Sequence, residues 1–210
     1  MYDVELVQGS PEWRAARVGS LGASRVVDAI TKTKTGWGAS RKNLLADLVA
    51  ERLTGQPADK FTNAAMQWGT ETEPQARAAY CFYHGQEVRQ VGLIRHPIIA
   101  GTHASPDGLV GDDGLIEIKC PNTATHIETL ISKGASVDGK YFTQMQWQMA
   151  CTGRQWCDFV SFDPRMPEQL RLFVMRVERN PERIAELHDL VSEFLAEVEA
   201  TTAALERIAA

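Results

Sequence analysis

The chain has 210 residues, 44% of them hydrophobic and 23% charged, with a formal net charge of −5. That length suits one domain with a sizeable core, and the composition excludes a low-complexity or disordered chain. No apolar run approaches the ~20 residues of a membrane span, so no membrane association is expected.

Taken in chain order, Ser10-Pro11-Glu12-Trp13 reads as a cap and first turn of a helix reaching about Arg17. Ser24 is placed to N-cap a second helix, from Arg25 to about Thr31. The stretch KTKTGWGA, Lys32 to Ala39, has two glycines and few apolar residues, and predicts a loop. Leu44, Leu45, Leu48 and Val49 set a helix over Ser40–Leu53 that ends before Gly55. Asn63 opens another, from Ala64 to about Tyr83, with Glu71 and Glu73 in its middle.

Strands follow. Glu87–Arg95 and Ile98–His103 are short and rich in Val and Ile, while Gly108–Val110 and Leu115–Cys120 flank Gly-Asp-Asp-Gly, a hairpin signature. A helix starting at about Val137 or Tyr141 runs to Thr152, then strands at Trp156–Phe162 and Leu170–Glu178. Asn180-Pro181 starts a last helix with Ile184, Leu187, Val191, Phe194, Val198 and Leu205 on one stripe. The order predicts an α/β fold, a central mixed β-sheet flanked by helices. The chain divides into a helical part over about 10–83, a sheet-centred core over about 87–178 and a C-terminal helix over about 181–208, all in one domain.

Charge is uneven along the chain. From Trp13 to Lys42 seven bases face only Asp28, and from Glu178 to Glu206 eight acids face only Arg179 and Arg183. A basic front and an acidic back suit a polyanion bound on one side; two solvated helix surfaces of opposite sign account for the same counts. Cys81, Cys120, Cys151 and Cys157 form no CxxC pair, and the N-terminus lacks a signal-peptide layout. Reduced thiols in a cytoplasm are therefore expected.

The stretch SPDGLVGDDGLIEIKCP, residues 105–121, carries the chemistry. Alternate strand residues share a face, so Glu117 and Lys119 point one way while Ile116 and Ile118 point into the core. The hairpin returns Asp107 to the same end of the sheet. Two converging carboxylates repel unless a cation lies between them, and hard oxygen ligands suit Mg²⁺. The metal polarises a phosphoryl oxygen, and Lys119 orients the attacking water and offsets developing charge.

Pro106-Asp107 with Glu117-Ile118-Lys119 resembles the PD-(D/E)xK nuclease motif of restriction-endonuclease-like cores. Further fragments occur in order: Gln8-Gly9-Ser10, Trp13, Arg17, Gly19, Ala23-Ser24, Trp68-Gly69 with Glu73, Gln144 and Gln146, and Asp163-Pro164-Arg165-Met166. Together, from about Glu5 to about Phe194, they are similar to the lambda exonuclease family, the YqaJ viral recombinases. The resemblance implies a Mg²⁺-dependent exonuclease (Mn²⁺ as a substitute) that degrades the 5′-ended strand of duplex DNA to mononucleotides, leaving a 3′ strand for recombination. It also implies a ring-shaped homotrimer and a single-strand annealing protein as partner. Position by position, it makes Asp107, Glu117 and the Ile118 carbonyl metal ligands, Lys119 the catalytic lysine, and Glu73 a further acid. Arg17, Ser24 and Ser105 match the holders of a terminal 5′-phosphate. Gln144 matches the glutamine of a third motif, beside Tyr141, and Met66 an apolar residue that splits the first base pair. Lys34 stands where the family has a loop arginine, and Thr125-His126 where it has a second basic residue.

Blander readings compete. Glu73 is also readable as a solvated acid, Arg17 as a partner of Glu12 or Asp28, and Trp13, Trp68 and Trp147 as core. An endonuclease, or a CRISPR-associated iron–sulfur nuclease, shares the motif, but the cysteines are not spaced for a cluster. A catalytically dead DNA-binding protein would have no reason to keep Asp107, Glu117 and Lys119 together.

Overall fold

The computed structural model describes residues 6–34, 36–58 and 64–209, and the backbone of 2–3. In chain order these form β1 (Tyr2–Asp3), α1 (Pro11–Ala16), β2 (Leu21–Gly22), a 3-10 turn at Ala23–Arg25, α2 (Val26–Ile30), β3 (Lys32–Thr33), β4 (Gly36–Trp37), α3 (Ala39–Thr54) and α4 (Ala64–His84). There follow β5 (Val88–Arg89), β6 (Leu93–Arg95), β7 (Thr102–Ala104), β8 (Gly108–Val110), β9 (Gly114–Lys119), α5 (Thr123–Ile131), α6 (Gly139–Thr152), β10 (Trp156–Phe162), β11 (Leu172–Glu178) and α7 (Pro181–Ala209).

Local chemistry sets the boundaries. Ser10 caps α1 by accepting from the Trp13 amide at 3.1 Å, with Pro11 in the first turn. The helices α3 and α6 both stop where Gly55 and Gly153 adopt left-handed backbone. In the hairpin after β8, Gly111 takes φ +50°, and the Arg154 guanidinium donates to the carbonyls of Val110, Gly111 and Gly114. A Cβ on Gly114 would meet the Trp156 ring at 2.1 Å, so the first residue of β9 has no room for a side chain.

The larger sheet runs β11-β10-β9-β8-β5, with β9 and β10 parallel and the other neighbours antiparallel. A second sheet, β1-β6-β7-β2, is also mixed, with β2 parallel to β7. The α/β architecture of mixed sheets flanked by helices is as expected. Its larger sheet is covered on both faces. Ile116 and Ile118 pack with Ala76 and Tyr80 of α4 and with Val160 and Phe162. Leu115 joins the main core, which gathers Met145, Trp147 and Met149 of α6 with Ile184, Leu187, Val191 and Phe194 of α7.

Several expectations need correction. Lys32–Ala39 is not a loop throughout: β3 and β4 pair antiparallel there, and Trp37 stacks with Lys32 and Arg41. Glu87–Arg95 is two strands, because β5 joins the larger sheet and β6 the other. The helix α5 was not legible, since it buries His126 and Thr129 and leaves Ile127 and Ile131 exposed, so no apolar stripe marks its inner face. The buried stripe of α7 ends at Val198, and Leu205 is exposed. Asn63, expected to open the long helix, lies outside the described residues. No helix among them is long and apolar enough to cross a membrane.

Candidate active site

Antiparallel pairing of β8 with β9 across their turn puts the end of β9 against the link that precedes β8. Asp107 sits in that link, and its Oδ2 accepts the amide of Ile118 at 2.6 Å. The N–H and C=O of one strand residue face the same edge, so the Ile118 carbonyl also points to the side of Asp107, beyond the last β8–β9 pair at Gly108 and Ile116. Glu117 is almost wholly buried, 1% exposed, beneath α6. Burying a charge requires partners. Gln144 donates to its Oε1 at 2.7 Å and Gln148 to its Oε2 at 2.6 Å, while Lys119 forms an ion pair with Oε1.

Glu73 reaches the same place from α4. It pairs with Arg77, one turn on, and Arg77 Nε donates to the Asp107 carbonyl at 3.2 Å. Burial, and then the charges of Glu117 and Glu73, push the Asp107 carboxyl well above its usual range, against the pull of Lys119. Burial raises Glu73 as well, with Arg77 opposing and Glu117 adding to the rise. Burial lowers Lys119, but the carboxylates of Glu117 and Asp107 outweigh it, so the ammonium is held above its ordinary value. The site gathers three acids, Glu73, Asp107 and Glu117, around two cations, Lys119 and Arg77.

Its donors are hard oxygens: two carboxylates and a carbonyl facing one edge. Among the described residues, no three His, Cys, Asp or Glu side chains converge enough to ligate one ion. The set fits Mg²⁺, which binds through one or two carboxylates and keeps several waters.

Beside the acids lies a cleft of about 140 Å³, lined by Gln8, Trp13, Arg17, Ser24, His103, Ser105 and Gln144 among others. Gln144 therefore borders both the cleft and Glu117. Arg17 pairs with neither Glu12 nor Asp28. Its guanidinium stacks under Trp13 at 3.9 Å, and Nε donates to His103 Nε2 at 3.1 Å. That bond leaves His103 its proton on Nδ1, 2.8 Å from the Ser20 hydroxyl. Burial brings Arg17 down to about 10, against the attraction of Glu51, so it stays charged at neutral pH. Gly22 makes this closeness possible, because a Cβ there would lie 3.2 Å from His103 Nε2 and 3.4 Å from Arg17 Nη2.

The structure thus brings Arg17, Ser24, Ser105 and Gln144 to one cleft and Asp107, Glu117, Lys119 and Glu73 to its border. Tyr141 lies 4.9 Å under the Lys119 ammonium. Three residues expected at the DNA, Tyr141, Lys34 and Met66, are outside the cleft lining. Lys34 is exposed in the turn between β3 and β4, and Met66 is half exposed in the first turn of α4, two turns before Glu73. Ser24 is not an N-cap: it is the middle of the 3-10 turn, which Gly22 precedes, and Arg25 stands at the cap of α2 without a side-chain bond. His126 supplies no basic group, being fully buried between the Ser161 hydroxyl and the Leu170 carbonyl. Sequence reasoning missed His103, Arg77 and Gln148, and named Gln8 only within the Gln8-Gly9-Ser10 fragment, without a role. Only Gln148 left a signal, its spacing of one helical turn from Gln144.

The profile of the YqaJ-like viral recombinase domain matches residues 12–155. The chain belongs to the YqaJ-like viral recombinase family. The matched segment contains every residue singled out for the site, from Arg17 to Gln144. Among solved structures, LHK-Exo in complex with dAMP superposes with a TM-score of 0.88 at 56% identity, covering 95% of this chain and 98% of that one. The alkaline exonuclease LHK-Exo from Laribacter hongkongensis matches with the same values. A phage-related exonuclease from Haemophilus somnus shares the fold, with a TM-score of 0.70 at 17% identity over 89% of this chain and 96% of that one. No curated protein matches the chain. Family membership and these relatives make the chain a nuclease with a recombinase role, on a fold consistent with the PD-(D/E)xK core read from residues 105–121.

Proposed function

We propose that this nuclease is a Mg²⁺-dependent exonuclease that enters the end of a DNA duplex and degrades the 5′-ended strand to mononucleotides. The 3′ strand left behind is the substrate for annealing. One observation carries the reading: Gln144 lines the Arg17 cleft and at the same time donates to Glu117. A pocket for a terminal phosphate therefore adjoins the acids that hold the metal.

Asp107, Glu117 and the Ile118 carbonyl would hold Mg²⁺, with Mn²⁺ as a substitute, which would supply Lewis-acid polarisation of the scissile phosphoryl oxygen and a more acidic coordinated water. Lys119, a cation anchored on Glu117, orients the attacking water and offsets charge at the phosphorus. Glu73, whose carboxyl burial shifts upward, exchanges a proton near the same centre. Arg17 presents its terminal nitrogens to the 5′-phosphate, with the Ser24 and Ser105 hydroxyls as further donors. Met66, on the Glu73 side of α4, wedges against the terminal base pair, and Lys34 touches the duplex backbone from its hairpin. Each cut exposes a new 5′-phosphate, which the same cleft draws in.

Enclosure by a homotrimer would keep a chain of net charge −5 on its polyanionic track, and a single-strand annealing protein would receive the product. The test is cleavage of linear duplexes, 5′-phosphorylated or 5′-hydroxyl, and of a covalently closed duplex, with Mg²⁺ or EDTA. The expected result is mononucleotide release from the linear forms only, faster from the phosphorylated one and abolished by EDTA. Equal rates on the two linear substrates would defeat the phosphate-pocket assignment, and cutting of closed circles would defeat the exonuclease reading.

A further inference from the structure

Glu117 has two oxygens and three donors, and the donor on Oε2 has no role in the reading above. Gln148 is fully buried on α6, one turn beyond Gln144, and reaches Oε2 at 2.6 Å. An amide can be turned either way round, so its neighbours decide which end faces the carboxylate. Cys157, also fully buried, lies with Sγ 3.9 Å from Gln148 Oε1. A carboxylate only accepts, and a buried thiol keeps its proton and donates weakly. Both neighbours therefore select one orientation, with the carbonyl toward Cys157 and the NH₂ toward Glu117. Cys157 sits on β10 directly beside Leu115 of β9, so sheet pairing fixes the far end of this chain of contacts.

From this arrangement we infer that Gln148, held by Cys157, is a positioning residue that fixes the rotation of the Glu117 carboxylate and thereby sets the affinity of the site for Mg²⁺. Lys119 and Gln144 both act on Oε1, so neither stops the carboxylate from pivoting about that atom. Gln148 does, from the opposite oxygen. Mg²⁺ demands near-ideal octahedral geometry and tolerates a swung ligand poorly, whereas the larger Mn²⁺ is more forgiving. The inference rests on Glu117 being a metal ligand, as proposed above.

Gln148→Met keeps the side-chain length and removes the donor. Mn²⁺ binding to the full chain without DNA can be followed by the loss of the free-ion EPR signal, with Mg²⁺ measured by competition. Loss of a hydrogen bond behind a ligand typically costs about 10- to 100-fold in metal affinity. That range is expected for Mg²⁺, with a smaller loss for Mn²⁺. Cleavage should show the same rise in half-saturating Mg²⁺, while the rate at saturating metal returns to within a few-fold of the unaltered protein. A merely structural glutamine would lower the unfolding temperature in EDTA and leave metal affinity unchanged.

Glu117→Gln is the control that separates this inference from the reading beneath it. If Glu117→Gln abolishes binding and Gln148→Met binds both ions normally, the inference is overturned and the metal assignment stands. If Glu117→Gln itself binds normally, the metal assignment falls and the inference with it. Should Gln148→Met fail to fold, Cys157→Ala takes its place, freeing the amide to turn while keeping it present. A weaker Mg²⁺ affinity there supports the inference, and an unchanged one overturns it.

Discussion

Lys119 shows how much a single side chain depends on its setting. It is charged because two carboxylates outweigh the burial that would neutralise it, so it acts as a fixed cation and not as a base. Lys119→Ala should lower cleavage by at least ~10²-fold, the usual cost of losing a group that stabilises transition-state charge. Binding of Mn²⁺ and of DNA ends should survive, since a lysine is no metal ligand; near-normal turnover would refute the assignment. Arg17 invites a parallel test at the cleft. Removing a charge-assisted hydrogen bond costs about 1.5–3 kcal/mol, or roughly ten- to a hundred-fold. Arg17→Ala should therefore erase most of the preference for a 5′-phosphorylated duplex over its 5′-hydroxyl twin, with metal binding untouched. A preference kept in full would mean that the guanidinium serves only Trp13 and His103.

At the scale of elements, the site depends on how α4 is held. Its first turns are fastened by Trp68, whose ring lies 4.5 Å from the Arg165 guanidinium. Arg165 is in turn clamped by Asp163, at 2.7 Å and 2.9 Å, just past β10, and Thr123 of α5 donates to the same carboxylate at 2.7 Å. This turn joins α4, α5 and β10 behind Lys119. Asp163 is fully buried, and burial raises its carboxyl less than Arg165 and Thr123 lower it, to about 2. Arg165→Ala would strand that charge. A loss of stability in urea unfolding is expected, smaller than for a wholly buried pair because the Arg165 side chain is itself half exposed. Arg165→Lys should retain part of it; an Arg165→Ala protein as stable as the original would show that water replaces the guanidinium without cost.

Across the whole molecule, α6, α7 and the second sheet meet at a pair of histidines. His96 is buried and stacks on Trp147, with Nδ1 accepting the amides of Ile98 and Ile99 at 3.2 and 3.0 Å. Its proton is therefore on Nε2, which donates to His188 Nε2 of α7 at 3.0 Å. Burial, and then the charge of His188, hold His96 down at about 4. The unfolded chain would take up that proton near pH 6.5, so the contribution is fully present above that value and is lost as pH falls toward 4. The linkage amounts to at most about 3 kcal/mol. Urea midpoints should fall across this window, and His96→Asn, whose Oδ1 can accept the same amides, should flatten the fall. An unchanged slope would place the acid sensitivity elsewhere. The proposed trimer belongs to this scale too: light scattering at micromolar protein should return three times the chain mass, and a monomer would remove the basis for long processive runs.

The sequence by itself determined the chemistry that travels in short order along the chain. Asp107, Glu117 and Lys119 lie within thirteen residues on one hairpin, and the alternation of a strand was enough to put Glu117 and Lys119 on one face and Ile116 and Ile118 on the other. Helix boundaries at Ser10, Gly55 and Gly153 were equally local, because capping and left-handed backbone are properties of a few neighbouring residues. What only the tertiary structure decided is what covers each face. Glu117 is buried because α6 lies across it, and the packing of α6 sets Gln148, one turn from Gln144, on its second oxygen. The same holds for Arg17 and His103, which are 86 residues apart and bonded, and for β5 and β6, which read as one run but pair in different sheets. Strand pairing and helix packing join residues distant in the chain through backbone hydrogen bonds and apolar contact that carry no local mark, so the acidic edge of the hairpin could be read from strand alternation, and the cleft beside it only through family resemblance.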